Sequence, residues 1–77
     1  MTLLELPSDR YAVIEELADG DAFRKKLASL NIRAGKTIKK VTAEPFHGPV
    51  VIEIDNTEVT IGRNMAKKIV VEPLSGD

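Results

Sequence analysis

Val50-Val51-Ile52-Glu53-Ile54-Asp55-Asn56-Thr57-Glu58-Val59-Thr60-Ile61 is the stretch whose reading decides the fold. Two alternating runs flank Asp55-Asn56, the spacing of a two-residue β-hairpin. Folding at that dipeptide pairs Ile54 with Thr57, Ile52 with Val59 and Val50 with Ile61. All the apolar partners then share one face, so the register explains itself. The same register sets Glu53 opposite Glu58, a like-charge pair costing about a few tenths of a kcal/mol. That cost is accepted because a slip of one residue would turn the apolar row toward water.

Working upstream, residues 36–43 read as a strand in which Ile38 and Val41 stand three apart. That slip predicts a bulge near Lys39-Lys40, where a small barrel has to bend. Pro45 and Gly48-Pro49 break the chain into a loop before the hairpin. Further back, Phe23, Leu27 and Leu30 fall at i, i+4 and i+7, one narrow stripe of a helix over 21–30. Asp19 or Asp21 caps its start. Asn31 stands where a left-handed residue ends a helix. The β-branched and aromatic run over 10–17 reads as the first strand. Downstream of the hairpin, 62–66 reads as a helical turn and 67–72 as a closing strand stopped by Pro73, with a frayed tail over 74–77. The expected fold is mainly β: a small, partly open barrel of about five strands. One short α-helix after the first strand covers its opening.

The chain has 77 residues, read as a single domain, 1–77, with an ordered core over 1–73. A chain this short buries only about 60–65% of its unfolded surface, so the core is thin. It has no cysteine, and aromatics are few, so Val, Ile and Leu must build that core. Eleven basic against twelve acidic residues argue against a dedicated nucleic-acid binder. No apolar run approaches the ~18 residues of a membrane span. The start, Met1 through Pro7, lacks the basic residues of a signal peptide. A cytoplasmic location is the expectation.

Catalytic chemistry finds little to work with. His47 is the sole histidine and lies in a Pro/Gly loop beside Glu44. Those two are weak metal candidates, because a transition metal normally takes three or four ligands. The plain reading of His47 is an exposed loop residue, and of Met65 a core filler. Ser8, Ser29 and Ser75 have no histidine nearby in sequence, and the glycines are isolated at turns. Basic residues gather on the helix (Arg24, Lys25, Lys26), at the second strand (Lys36, Lys39, Lys40) and at Lys67-Lys68. The plain reading is a solvated exterior that protects strand edges. The sharper one is a patch that meets an acidic partner or an anionic membrane surface.

Three segments, Leu30 to Ile38, Pro45 to Ile52 and residues 61–71, taken together resemble the FeoA family. Leu30-Asn31-Ile32-Arg33-Ala34-Gly35-Lys36-Thr37-Ile38 is similar to its helix-ending Leu or Met followed by Gly-hydrophobic-x-Pro-Gly-x-x-hydrophobic. Pro45-Phe46-His47-Gly48-Pro49-Val50-Val51-Ile52 resembles its Pro-x-x-Gly-x-Pro-hydrophobic segment, and residues 61–71 its hydrophobic-x-Arg-x-x-Ala-x-x-Ile-x-Val ending. Asn31 replaces the usual Gly, Ala34 the usual Pro, and Ser8-Asp9 a common Pro-Gly. The resemblance implies an SH3-like barrel that is not an enzyme. It implies a bacterial accessory or regulatory protein of ferrous iron transport. Its implied partner is a FeoB-like membrane transporter with a cytosolic GTP-binding domain. The expected docking residues are Arg24, Lys25, Ser29, Leu30 and Asn31 at the helix and its exit, and Arg63, Asn64 and Met65 at the turn. Leu30 is read equally well as core. No resident cofactor is expected beyond weak Fe2+ binding. Alternatives are a direct Fe2+ carrier and a regulatory SH3-like domain for another protein. An exposed strand edge leaves room for a weak homo-oligomer.

Overall fold

The hairpin folds in the expected register, with β3 (Val50–Ile54) and β4 (Thr57–Ile61) joined through Asp55 and Asn56. Both turn residues have positive φ, 51° and 63°, the backbone of the hairpin turn that follows strand twist. Glu53 does face Glu58. Val50, Ile52, Ile54 and Ile61 are buried along one side. The computed structural model describes residues 1–18, 20–43 and 48–74.

Around this hairpin the elements run β1 (Arg10–Leu17), α1 (Gly20–Ala28), β2 (Thr37–Ala43), β3, β4, α2 (Arg63–Ala66) and β5 (Ile69–Pro73). The strands form one open antiparallel sheet in the order β4-β3-β2-β1-β5. Two bulges bend it. The register shifts between Lys40 and Thr42 against β3, so the extra residue is Val41, one beyond the expected pair. A second shift lies between Ile14 and Glu16 against β5. The closing strand starts at Ile69, two residues later than expected, because Lys67 and Lys68 finish the turn after α2. The expected cap Asp19 lies outside the described residues, and Asp21 stands within the first turn of α1.

The core is aliphatic, as the composition requires, and draws on every element. Strand residues such as Ile14, Ile38, Ile52, Ile69 and Val71 are joined by Leu27 of α1, Ile32 after it and Ala66 of α2. Leu3 and Leu6 enter from the N-terminal segment, each 1% exposed. That segment also covers the outer edge of β5. Thr2 bridges Val70, the Leu3 amide donates to the Ile69 carbonyl, and the Val71 amide donates to that of Met1. At the far end of β5, the Leu74 amide donates to the carbonyl of Tyr11. Among the described residues no helix is long and apolar enough to cross a membrane.

Lys40 overturns one expectation. It is not on the exterior but 3% exposed, the sole charged residue among the buried ones described. Alternation from Ile38 points it inward, across from buried Ile52. Its Nζ donates to the carbonyls of Leu3 at 3.2 Å, Leu4 at 3.0 Å and Leu6 at 2.6 Å. Those oxygens sit at the end of a single turn of chain whose Leu6 amide is shared between the Thr2 and Leu3 carbonyls at 3.2 and 3.3 Å, and carbonyls at the end of a turn are the ones its own amides satisfy least. The start of the same turn is closed by Glu5, whose Oε1 accepts from the Thr2 amide at 2.7 Å. That bond holds the Glu5 carboxyl below its ordinary value. The Lys40 backbone adds a further tie, its carbonyl accepting from the Asp9 amide, where φ is 65°. Desolvation first, and then the charge of Arg63, push the Lys40 ammonium below the usual lysine range.

Removing this ammonium strands buried carbonyls. Lys40→Met is expected to lower unfolding free energy by about 2–4 kcal/mol in urea denaturation, whereas Lys39→Met stays within about 0.5 kcal/mol. Equal stability of Lys40→Met and wild type would show that the buried contact holds nothing together.

Candidate docking surface

The helix exit is set by sequence at Asn31-Ile32. The Ile32 amide reaches back to the Leu27 carbonyl at 3.0 Å, and the Asn31 amide to that of Ala28 at 3.0 Å. Asn31 has φ 65°. This is the Schellman pattern, with Asn in the left-handed position and an apolar residue after it folded back onto the helix. Ile32 therefore takes the buried place, and Leu30, at the cap, turns outward with 43% exposure. The core reading of Leu30 is corrected: the helical stripe stops at Leu27 because α1 ends at Ala28. Ser29 spends its hydroxyl on the chain itself, donating to the Lys26 carbonyl at 2.6 Å.

Arg24 does local work too. Its Nε donates to the Leu17 carbonyl at 3.3 Å, and its Nη1 lies 3.2 Å from Asp21. The first contact ties α1 to the end of β1, which pairs with the start of β5. Lys68, just before β5, lies over the Phe23 ring at 5.7 Å. The first half of α1 thus stands beside the junction of α2 and β5. Ser29, Leu30 and Asn31 lie at the other end, about 9 Å farther along for six residues of helical rise. The expected docking residues form two zones linked by this helix.

α2 begins at Gly62, whose extended backbone starts a turn closed by the Ala66 amide on the Gly62 carbonyl, 2.9 Å. The turn continues through Lys67, whose amide donates to the Arg63 carbonyl at 3.1 Å. Ala66 is buried and Met65 packs partly against the core. On the outer side Gly62, Arg63, Asn64, Met65 and Lys67 line an open groove of about 450 Å³.

Several of the basic residues are engaged inside the fold. Lys36 pairs with Asp55 at 2.8 Å, and Lys39 lies over the Tyr11 ring at 5.5 Å. Lys40 is buried. Lys25, Lys26, Arg63 and Lys67 have no ion pair among the described residues. Those four cations lie on α1 and at the groove beside α2. Among the described residues no group of three or more His, Asp or Glu side chains is placed to hold a metal. His47 and Glu44 lie outside the described residues.

The FeoA domain family matches residues 1–73. The chain belongs to the FeoA domain family. A fusion protein of Fe(2+) transport protein A and the Fe(2+) transporter FeoB from Porphyromonas gingivalis is 35% identical over the whole of this chain. The match takes up only 9% of that fusion's length. The solution structure of the FeoA protein from Chlorobium tepidum superposes with a TM-score of 0.88 at 30% identity, covering 100% of this chain and 73% of that one. The crystal structure of Stenotrophomonas maltophilia FeoA in complex with zinc, an SH3 domain protein, superposes at 0.72 with 30% identity over 94% of this chain and 89% of its own. The fold is SH3-like, as the sequence led one to expect.

Arg24 and Lys25 separate experimentally. Arg24→Ala is expected to cost about 0.5–1.5 kcal/mol, the worth of a carbonyl bond plus an exposed ion pair. Lys25→Ala stays within about 0.5 kcal/mol by the same denaturation measurement, because the Lys25 side chain has no hydrogen bond or ion pair among the described residues. The reverse order would show that Arg24 is free and Lys25 is the structural residue.

Proposed function

We propose that this chain is a non-catalytic accessory protein of ferrous iron transport that docks on the cytosolic part of a FeoB-type membrane transporter. One observation carries the reading. In the Porphyromonas gingivalis relative, a domain matching this chain end to end is covalently part of the same polypeptide as FeoB. Joining two modules replaces a bimolecular encounter with a high effective concentration, which benefits partners that otherwise meet weakly. The surface agrees: a rigid aliphatic barrel offers unpaired cations on α1 and beside α2, suited to a complementary acidic face. Catalysis is not part of the reading, since the sequence offers neither a nucleophile-base pair nor a phosphate loop.

The test is binding of the purified protein to detergent-solubilised FeoB from the same organism, with and without a GTP analogue. Saturable binding is expected, weakened several-fold by Lys25→Glu/Lys26→Glu, a change that leaves the fold intact because neither side chain has a hydrogen bond or ion pair among the described residues. Rim charges of this kind act mainly through association rate, so the loss should shrink at high salt. Absence of binding in every nucleotide state would overturn the docking reading. Anaerobic Fe2+ titration showing a micromolar site lost in His47→Ala would put metal carriage in its place.

A further inference from the structure

The groove beside α2 carries two cations that have no ion pair among the described residues. Arg63 and Lys67 are one helical turn apart, so their side chains leave the same face. Like charges at that spacing repel, and neither has a carboxylate partner among the described residues. Arg63 also acts inward, adding to the depression of the Lys40 ammonium. The groove thus carries two cations with no carboxylate partner among the described residues. Gly62 leaves the mouth open, since a Cβ built there would meet nothing within 4 Å. Exposed Asn64 and half-buried Met65 also line the groove.

We propose that this groove seats an acidic extended segment of the docking partner, with a Glu or Asp carboxylate held between Arg63 and Lys67. The assignment deepens the docking reading and rests on it for the identity of the partner. The volume, about 450 Å³, suits a stretch of peptide better than a lone inorganic anion. Among the described residues no aromatic side chain lines the groove, so none there offers the stacking platform that single-stranded nucleic acid uses.

The probe is the peptide acetyl-Gly-Glu-Asp-Glu-Gly-amide, titrated into the full chain while backbone amide resonances are followed. Its Gln/Asn counterpart and sodium phosphate are the controls. The expected result is saturable shifts at Gly62 through Lys67, absent with the neutral peptide, and at least five-fold weaker binding in Arg63→Gln/Lys67→Gln. Unchanged resonance dispersion in that variant shows it folded. Shifts centred elsewhere, equal shifts with the neutral peptide, or saturation by phosphate at the same concentration would each overturn the peptide assignment. The same variant is then offered to solubilised FeoB. If wild type and variant bind equally, the groove assignment fails while docking stands. If wild type does not bind, docking fails and the titration alone decides whether the groove accepts acidic peptides.

Discussion

A single buried ammonium holds the N-terminal segment in place, and the rest of the barrel depends on that segment. Lys40 Nζ reaches the carbonyls of Leu3, Leu4 and Leu6 at the end of one turn of chain. With that turn fixed, Leu3 and Leu6 complete the core and residues 1–3 cover the outer edge of β5. An uncovered edge strand invites pairing with other chains. Taking an ammonium out of water costs several kcal/mol, and only full satisfaction by acceptors offsets it. A cation at the carbonyl end of a turn is also the favourable sign for the local dipoles. The contact therefore binds chain end to sheet centre in a way no apolar residue at position 40 could reproduce.

The hairpin was legible because its alternation admits a single register, and Asn31 because few residues tolerate the left-handed position. Lys40 was not legible as buried, although the signal existed. Alternation from Ile38 places it on the inward face, and the slip to Val41 drew attention instead to the bulge. Thr2-Leu3-Leu4-Glu5 likewise carries the spacing in which a Glu reaches back to the first amide of a turn, as Glu5 does here. Leu30 looked like a stripe residue because periodicity does not say where a helix stops. Ile32, two residues on, was the cue, since an apolar residue after the left-handed one closes the Schellman pattern. The candidate surface was legible only in part. Sequence grouped cations by neighbourhood, whereas their partners sort them: Lys36 to Asp55, Lys39 to Tyr11, Lys40 to the N-terminal turn.

That sorting bears on function. A domain this small must use most of its polar groups to hold itself together. Side chains left without internal partners are then the informative ones. Among the cations, Lys25 and Lys26 on α1 and Arg63 and Lys67 at α2 have no ion pair among the described residues, and these two elements are joined through Phe23 and Lys68 and braced by Arg24 on Leu17. The sheet supplies rigidity, and the short helical elements display charge. Such a division suits a protein that works by presenting a shaped, charged face to a larger one, the role proposed for it beside a ferrous iron transporter.

Hydrogen–deuterium exchange of the chain alone and in complex with solubilised FeoB measures that division directly. Protection on binding should be confined to residues 24–31 and 62–67, with β3 and β4 unchanged. Protection centred on the free edge of β4, with α1 and α2 exchanging as in the isolated protein, would contradict the account.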